Sequence, residues 1–282
     1  MNFPLALIAV AMLDLESIWN WDDPAESEKK FRALPADGEV QTQIARAQGL
    51  QRKFDEAHKT LDAIVTNTPR VEVRYLLERG RVFNSSGKPA QARPLFLAAW
   101  EKAQAGQLDS FAVDAAHMLG IIEPPYEALK WNEKAVALAE KSADPKAQGW
   151  LGSLLNNIGW AYYAKGEYVK ALDCFERDQK WFENRKKDEQ ARIARYSIGK
   201  TLRALGRIEE ALALQQKLKP DGYVLEEIAE CLHATGKTNE ARTCFASAYE
   251  LLSKDEWLVA DEPQRLERLK RLGQEQPTDQ RK

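Results

Sequence analysis

Residues 154–181 read LLNNIGWAYYAKGEYVKALDCFERDQKW, and this stretch predicts two amphipathic helices joined by a short turn. Leu155 and Ile158 share one helical face in the first half, and Leu172 and Phe175 share one in the second. Between the halves lies Lys165-Gly166-Glu167, where glycine can take the positive φ that ends a helix. The stretch therefore predicts a helical hairpin.

Small residues at fixed distances repeat this hairpin along the chain. Each unit is anchored by an alanine, and these anchors are Ala57, Ala92, Ala128, Ala171, Ala211 and Ala241. Twelve residues before the anchors, the chain has Ala45, Gly80, Ala116, Gly159, Gly199 and Ala229. Five residues before four of them, it has Gly87, Gly166, Gly206 and Gly236. Small residues let paired helices approach closely, and their recurrence every 30 to 43 residues predicts a solenoid of stacked hairpins.

The units resemble the tetratricopeptide repeat. The clearest one carries the large–small–aromatic pattern of that family at Ile158, Gly159, Tyr162, Gly166, Tyr168, Ala171 and Phe175. The unit around Ala128 is the weakest match, because Glu123-Pro124-Pro125 replaces the glycine turn and Asn132 replaces the usual aromatic residue. Intervals near 40 residues resemble the longer repeats of kinesin light chain and many bacterial proteins. The resemblance implies an all-α fold, a right-handed α-solenoid of about six stacked antiparallel hairpins with caps.

The same pattern divides the chain into segments. We predict N-terminal capping helices over 1–36, the solenoid over 37–253, a capping helix over 254–273 and a flexible tail over 274–282. The apolar run Phe3–Leu13 has three interpretations, which are a capping helix, a start site placed too far upstream of Met12, or an export signal. It lacks a preceding Lys or Arg and is short for a signal peptide.

Composition argues against several classes of protein. The 282 residues carry 41 basic and 43 acidic side chains, which does not favour binding to nucleic acid or an anionic membrane. The three cysteines form no even-numbered framework, as is usual in a reducing compartment. We therefore expect a cytoplasmic protein, with export as the alternative.

No motif in the chain carries catalytic or cofactor chemistry. The pairs Gly87-Lys88, Gly199-Lys200 and Gly236-Lys237 lack the remaining residues of a phosphate-binding loop. The histidines His58, His117 and His233 are too widely spaced to suggest a local metal site. We predict no catalytic residue, cofactor or metal, and hence a protein that is not an enzyme.

A groove is the predicted site. In stacked hairpins the first helices line the inner face, and residues fifteen, eleven and eight before each anchor project into it. With Arg74, which flanks this set, the predicted groove residues are Arg46, Arg74, Arg81, Asn84, His117, Asn156, Trp160, Tyr163, Tyr196, Lys200 and Arg203. The basic members suit carboxylates, the aromatic members offer stiff apolar surface, and acids are expected at these positions only in the last unit, as Glu226 and Glu230.

The leading hypothesis is a scaffold or adaptor that binds a peptide segment, acidic or ending in a C-terminal carboxylate, in this groove. A second hypothesis is a regulatory subunit that docks on an enzyme or on transcription machinery through its convex face or ends. A third is an exported assembly factor. The partner, the pathway and the oligomeric state are left open by the sequence.

Overall fold

The computed structural model describes residues 14–66 and 68–274. Every regular element in these residues is helical, and they contain no strand, which confirms the predicted fold class. The chain forms two compact units, unit 1 (Met1–Leu154) and unit 2 (Leu155–Lys282). The predictions for residues 1–13 and for the tail from 275 onward lie outside the described residues.

The helices follow one another with short connections. A 3₁₀ turn at Leu15–Ile18 comes first. Then come α1 (Pro24–Arg32), α2 (Gly38–Leu50), α3 (Phe54–Asp62), α4 (Pro69–Ser85), α5 (Pro89–Ala105), α6 (Asp109–Ile122), α7 (Pro125–Lys141), α8 (Pro145–Gln148), α9 (Leu151–Ala164), α10 (Tyr168–Glu183), α11 (Asp188–Ala204), α12 (Ile208–Gln215), α13 (Gly222–Ala234), α14 (Thr238–Leu252), α15 (Glu256–Asp261) and α16 (Pro263–Gln274).

The helix ends use ordinary capping chemistry. The Asp23 carboxylate accepts a hydrogen bond from the Glu26 backbone N–H, and Pro24 takes the first position of α1. Asp221 caps α13 in the same way. The four turn glycines all have φ between 75 and 78°, and Arg52 adopts φ 62° where the first hairpin lacks a glycine.

The anchor positions pack where two helices of a hairpin meet. Five of the six anchor alanines are buried, and Ala128 is half-buried. At Gly159 an added Cβ would lie 2.5 Å from the Phe175 ring, and Gly80 meets Phe96 at the same distance. The second helix of each of these hairpins therefore reaches its partner only because the facing residue is glycine.

The third hairpin departs from the predicted register. Here a Cβ on Gly120, rather than on Ala116, would meet the Asn132 side chain, at 2.5 Å. The cause is the turn, because α6 runs to Ile122 and α7 already begins at Pro125. The two helices are joined by a shorter connection than a glycine turn provides, so their facing residues lie one helical turn closer in sequence. Gly120, and not Ala116, is therefore the counterpart of Gly80 and Gly159 in packing.

Candidate peptide-binding surface

The first helices α2, α4 and α6 of unit 1 pack in sequence and share an alternating row of charges. Arg46 Nη1 lies 3.3 Å from Glu78 Oε1, and Arg81 Nη1 donates to the same oxygen at 2.7 Å. Arg81 Nη2 donates in turn to Asp114, at 2.6 Å from Oδ2. We call this side of the three helices the first-helix face of unit 1. Its four charged groups balance to zero.

Two carboxylates keep the Arg81 guanidinium charged. The Glu78 side chain is only 2% exposed. Burial alone would lower the pKa of the Arg81 guanidinium, but Asp114 and Glu78 raise it above its ordinary value. These contacts also hold the guanidinium in place, although one oxygen, Glu78 Oε2, is buried without a hydrogen-bond partner.

Three further predicted groove residues lie on α4 and α6. Arg74 is buried, with Nε 3.3 Å from Glu39 Oε2 and its guanidinium over the Phe111 ring. The His117 ring lies 5.0 Å from the Trp150 ring, and burial lowers its pKa. Asn84 is half-buried near the end of α4.

A cavity of about 230 Å³ opens on the first-helix face of unit 1. Its walls mix aliphatic and charged groups and consist of Arg46, Gly49, Leu50, Glu78, Arg81, Val82, Ser85 and Met118. It thus combines apolar surface with the paired charges of the row.

The chain's own residues 14–21, which we call the N-terminal strap, lie against the same unit. The Trp19 Nε1–H donates to Gln43 Oε1 at 3.0 Å, and the Trp19 and Trp21 rings stack with their centroids 4.4 Å apart. The Arg46 guanidinium lies 5.0 Å from the Trp21 ring centroid. The strap therefore covers the beginning of the first-helix face of unit 1.

The acidic side chains of the strap reach two other helices. Glu16 Oε1 lies 3.6 Å from Arg74 Nη2 on α4. Asp14 Oδ1 lies 3.1 Å from Lys146 Nζ on α8, although the two residues are 132 positions apart. Two of the predicted groove residues, Arg46 and Arg74, are thus in contact with the strap.

In unit 2 one buried carboxylate holds two predicted cations. Lys200 Nζ lies 2.8 Å from Glu227 Oε1, and Arg203 Nε lies 2.7 Å from Glu227 Oε2. Burial would raise the pKa of Glu227, but Arg203 and Lys200 lower it below its ordinary value. Lys200 and Arg203 remain 21% and 26% exposed, so this cluster presents one uncompensated positive charge.

Aromatic side chains stand beside this cluster. The Trp160 ring contacts the rings of Tyr163 and Phe175, at centroid distances of 5.4 and 5.1 Å. Burial, and then the nearby Glu227 carboxylate, raises the pKa of Tyr163. Tyr196 is more deeply buried, and burial raises its pKa to about 12.

Asn156 is the remaining predicted residue, and it is half-buried on α9. The acids predicted for the last unit are also where α13 was expected to place them. They are paired with the C-terminal helix, since Arg265 of α16 contacts Glu226 and Arg268 contacts Glu230.

One expectation about these surfaces is wrong. No acids were expected among the basic groove residues before the last unit, yet Glu78 and Asp114 lie directly among them. Glu78, Asp114 and Glu227 each lie fourteen residues before an anchor, which is one residue after the groove position fifteen before it. That position turns each carboxylate toward the neighbouring first helix. The available signal was the spacing of Glu78 and Arg81, which favours an ion pair along a helix.

The described residues show no cluster of three or more His, Cys, Asp or Glu side chains that could hold a metal ion. Among these same residues, no helix is both long and apolar enough to cross a membrane.

The comparisons with known proteins agree with the hairpin geometry. Residues 42–107 match the model of the tetratricopeptide repeat family. The structure of NprR in complex with its cognate peptide NprX is 16% identical, with a TM-score of 0.51, and the match covers 96% of this chain and 85% of that one. The C-terminal part of a TPR repeat-containing protein from Cytophaga hutchinsonii is 14% identical, with a TM-score of 0.50 and coverage of 95% and 93%. The sequence has no significant match among curated proteins.

The apo form of RapI is a further similar structure, with 12% identity, a TM-score of 0.50 and coverage of 88% of this chain and 95% of that one. At these identities the likeness concerns the fold. Residues 42–107 thus match the tetratricopeptide repeat, and the described hairpins have the fold of such proteins, in agreement with the resemblance of residues 154–181.

Proposed function

We propose that this protein is a non-catalytic interaction module that binds a peptide segment of another protein on the first helices of its units. The observation that carries the proposal is the cavity on the first-helix face of unit 1, where Leu50, Val82 and Met118 stand beside the paired Arg46 and Glu78. Such a mixture suits one apolar side chain and the polar backbone next to it. Because ion pairs already hold the walls, binding costs little ordering.

The charges refine the predicted preference for acidic peptides. On the first-helix face of unit 1 an incoming carboxylate would meet Glu78 and Asp114 as well as the arginines, so that part of the surface offers no net attraction. In unit 2 the excess positive charge of Lys200 and Arg203 over Glu227 favours a carboxylate. We therefore propose that the cluster in unit 2 can bind an acidic or C-terminal carboxylate, whereas the neutralised row of Arg46, Glu78, Arg81 and Asp114 in unit 1 does not.

The NprR structure contains its cognate peptide, so a fold of this kind can hold one. That complex concerns NprR, and for the present chain it supports only the general mode of binding.

Peptide display on the full chain tests the proposal. The enriched peptides should lose at least tenfold in affinity when Ser85→Phe fills the cavity, because Ser85 is an exposed member of its wall. Gln91→Phe is the matched control, since Gln91 is equally exposed on the second helix α5. Failure to enrich any peptide, or equal loss in both variants, would contradict the proposal.

An alternative is docking on an enzyme or on transcription machinery through another surface. Ile121 and Tyr126 favour it, because both are more than half exposed beside the turn between α6 and α7. Replacing both by serine should abolish capture of such a partner and leave peptide binding unchanged.

We also propose that the protein works in a reducing compartment such as the cytoplasm. Cys231 and Cys244 are free thiols, and burial raises the pKa of Cys231 to about 11. Thiols of this kind are structural and inert. N-terminal sequencing of the mature protein tests the exported alternative, which requires cleavage near Ala11.

A further inference from the structure

The N-terminal strap has the composition of a ligand for the surface on which it lies. Its sequence from Asp14 to Trp21 is DLESIWNW, which combines two acids with two tryptophans. Each of these four side chains meets a complementary group, because the acids face Lys146 and Arg74 and the rings face Gln43 and Arg46. The complementarity extends over α2, α4 and α8, so it does not come from one chance contact.

The outer side chains of the strap are lightly held, whereas its apolar side chains are packed. Leu15 is buried with Phe31, Val40 and Ile44, and Ile18 and Trp19 pack against the same cluster. The side chains of Asp14 and Lys146 are 59% and 56% exposed, and Trp21 is 51% exposed. Ion pairs at such exposure contribute little, since water and salt screen them. The acids and Trp21 can therefore leave the surface while Leu15 stays packed.

We infer that the surface formed by Gln43, Arg46, Arg74 and Lys146 in unit 1 is a binding site for an acidic, tryptophan-bearing peptide segment of a partner, and that the N-terminal strap occupies it in its absence. This inference rests on the proposed function and specifies a ligand for one part of it. The partner segment would carry two acids followed by two aromatic residues, at about the spacing of Asp14, Glu16, Trp19 and Trp21.

The row of paired charges explains why the site lies here. Arg81, the second arginine of the row, is neutralised by Glu78 and Asp114 and does not attract an acidic ligand. Lys146 forms an ion pair with Asp14 of the strap, and Arg74 contacts Glu16 of the strap as well as Glu39, which also pairs with Arg70. The path of the strap therefore carries positive charge that the row does not neutralise.

The probe for the test is a synthetic peptide of residues 14–22, DLESIWNWD, with blocked ends and a fluorescent label. Its affinity for the full chain is measured by fluorescence anisotropy, for the wild type and for the variant Asp14→Lys/Glu16→Lys/Trp21→Ala. All three changed side chains are largely exposed, so this variant should stay folded, which circular dichroism checks. We expect it to bind the peptide at least tenfold more tightly than the wild type, because the strap competes as a tethered ligand.

A charge exchange locates the site. Adding Lys146→Glu to the strap variant should weaken binding of the peptide about tenfold, and a peptide with Asp14→Lys should recover the loss. Glu127→Lys on the strap variant is a matched control, since Glu127 is an exposed charge on α7. It should have no effect.

Two outcomes would overturn the inference. In the first, the peptide binds the wild type and the folded strap variant with equal affinity, or binds neither. In the second, its affinity for the strap variant does not change when Lys146→Glu is added. Peptide display on the strap variant separates these from failure of the proposed function. If the enriched peptides lack acids and tryptophan but still lose affinity with Ser85→Phe, the inference is wrong and the proposed function stands. If no peptide is enriched, both are wrong.

Discussion

Asp178 places a carboxyl group where other hairpins bury a methyl group. It lies seven residues after its anchor, and the same position holds Ala99, Ala135 and Ala248 in other hairpins. All four residues are buried, and Asp178 Oδ1 has no hydrogen-bond partner. Burial raises the pKa of Asp178 to about 7. The folded chain therefore holds this proton more tightly than the unfolded chain does.

We expect this residue to make stability depend on pH. Because the pKa rises from 3.8 in the unfolded chain to about 7 in the folded one, the stabilising effect of the bound proton is complete below 3.8 and is lost as the pH rises through 7. Asp178→Ala should stabilise the protein by about 1 to 3 kcal/mol at pH 8 and remove this dependence. The denaturant midpoints of the wild type and of Asp178→Ala at pH 5 and pH 8 measure this pH dependence.

Asp173→Ala is the control, since Asp173 is an exposed residue of the same helix. A wild type whose stability is flat between pH 5 and pH 8 would show that Asp178 is ionised at no cost.

Arg52 supplies a second test on single residues. It adopts φ 62° in a turn where four other hairpins use glycine. A side chain disfavours this conformation, so Arg52→Gly should stabilise the protein by about 0.5 to 1 kcal/mol despite the added chain entropy. Gly87→Ala at φ 78° should have the opposite sign. The thermal unfolding midpoints of both variants test this expectation. A lower midpoint for Arg52→Gly than for the wild type would contradict it.

At the scale of the elements, Glu227 joins α11 to α13. Its side chain is 2% exposed and forms ion pairs with both Lys200 and Arg203. Glu227→Gln should therefore destabilise the protein by about 3 to 5 kcal/mol, because two cations lose their partner in a half-buried site. Glu210→Gln, which breaks an exposed pair with Arg207, should leave stability nearly unchanged, because water and salt screen such a pair. Similar losses from the two variants, in urea titrations, would contradict this view.

The hairpins were predictable from the sequence because their signals are local. The glycine turns and the contact of Gly159 with Phe175 follow from spacing within one unit. The register of α6 and α7 was not predictable to the same degree, because Pro124-Pro125 ends one helix and starts the next without fixing which residues face each other. The pairing of Gly120 with Asn132 depends on the length of that connection.

The site was predictable only in part, for a related reason. Spacing places Arg46, Arg81, Lys200 and Arg203 on the first helices, but it does not say which neighbouring helix supplies an acid. Glu78, Asp114 and Glu227 act on residues 24 to 33 positions away in the pairs Arg203–Glu227, Arg46–Glu78 and Arg81–Asp114. The acidic contacts of the N-terminal strap, Glu16 with Arg74 and Asp14 with Lys146, span still longer separations, and nothing in a repeat pattern encodes them.

At the scale of the whole molecule, repeat construction should keep damage local. Each hairpin contacts mainly its neighbours in sequence, so stability is roughly a sum of local terms. Gly80→Ala forces a methyl group against Phe96 and should cost about 1 to 3 kcal/mol. Hydrogen exchange should become faster in α4, α5 and the adjacent helices, whereas α13 and α14 should keep their protection.

The matched variant is Gly222→Ala, which crowds Leu252 at the other end of the chain. It should produce the reverse pattern of exchange. Uniform loss of protection in both variants would indicate a single cooperative body.

The stacked indoles of Trp19 and Trp21 provide an intrinsic spectroscopic probe of the N-terminal strap. Two rings 4.4 Å apart and inclined by only 6° couple their electronic transitions, which produces a paired band in the ultraviolet circular dichroism spectrum. The positive charge of the Arg46 guanidinium beside them should also shift the wavelength of their emission. Departure of these rings from Arg46 would therefore alter both signals without any attached dye, and the event could be timed by stopped flow.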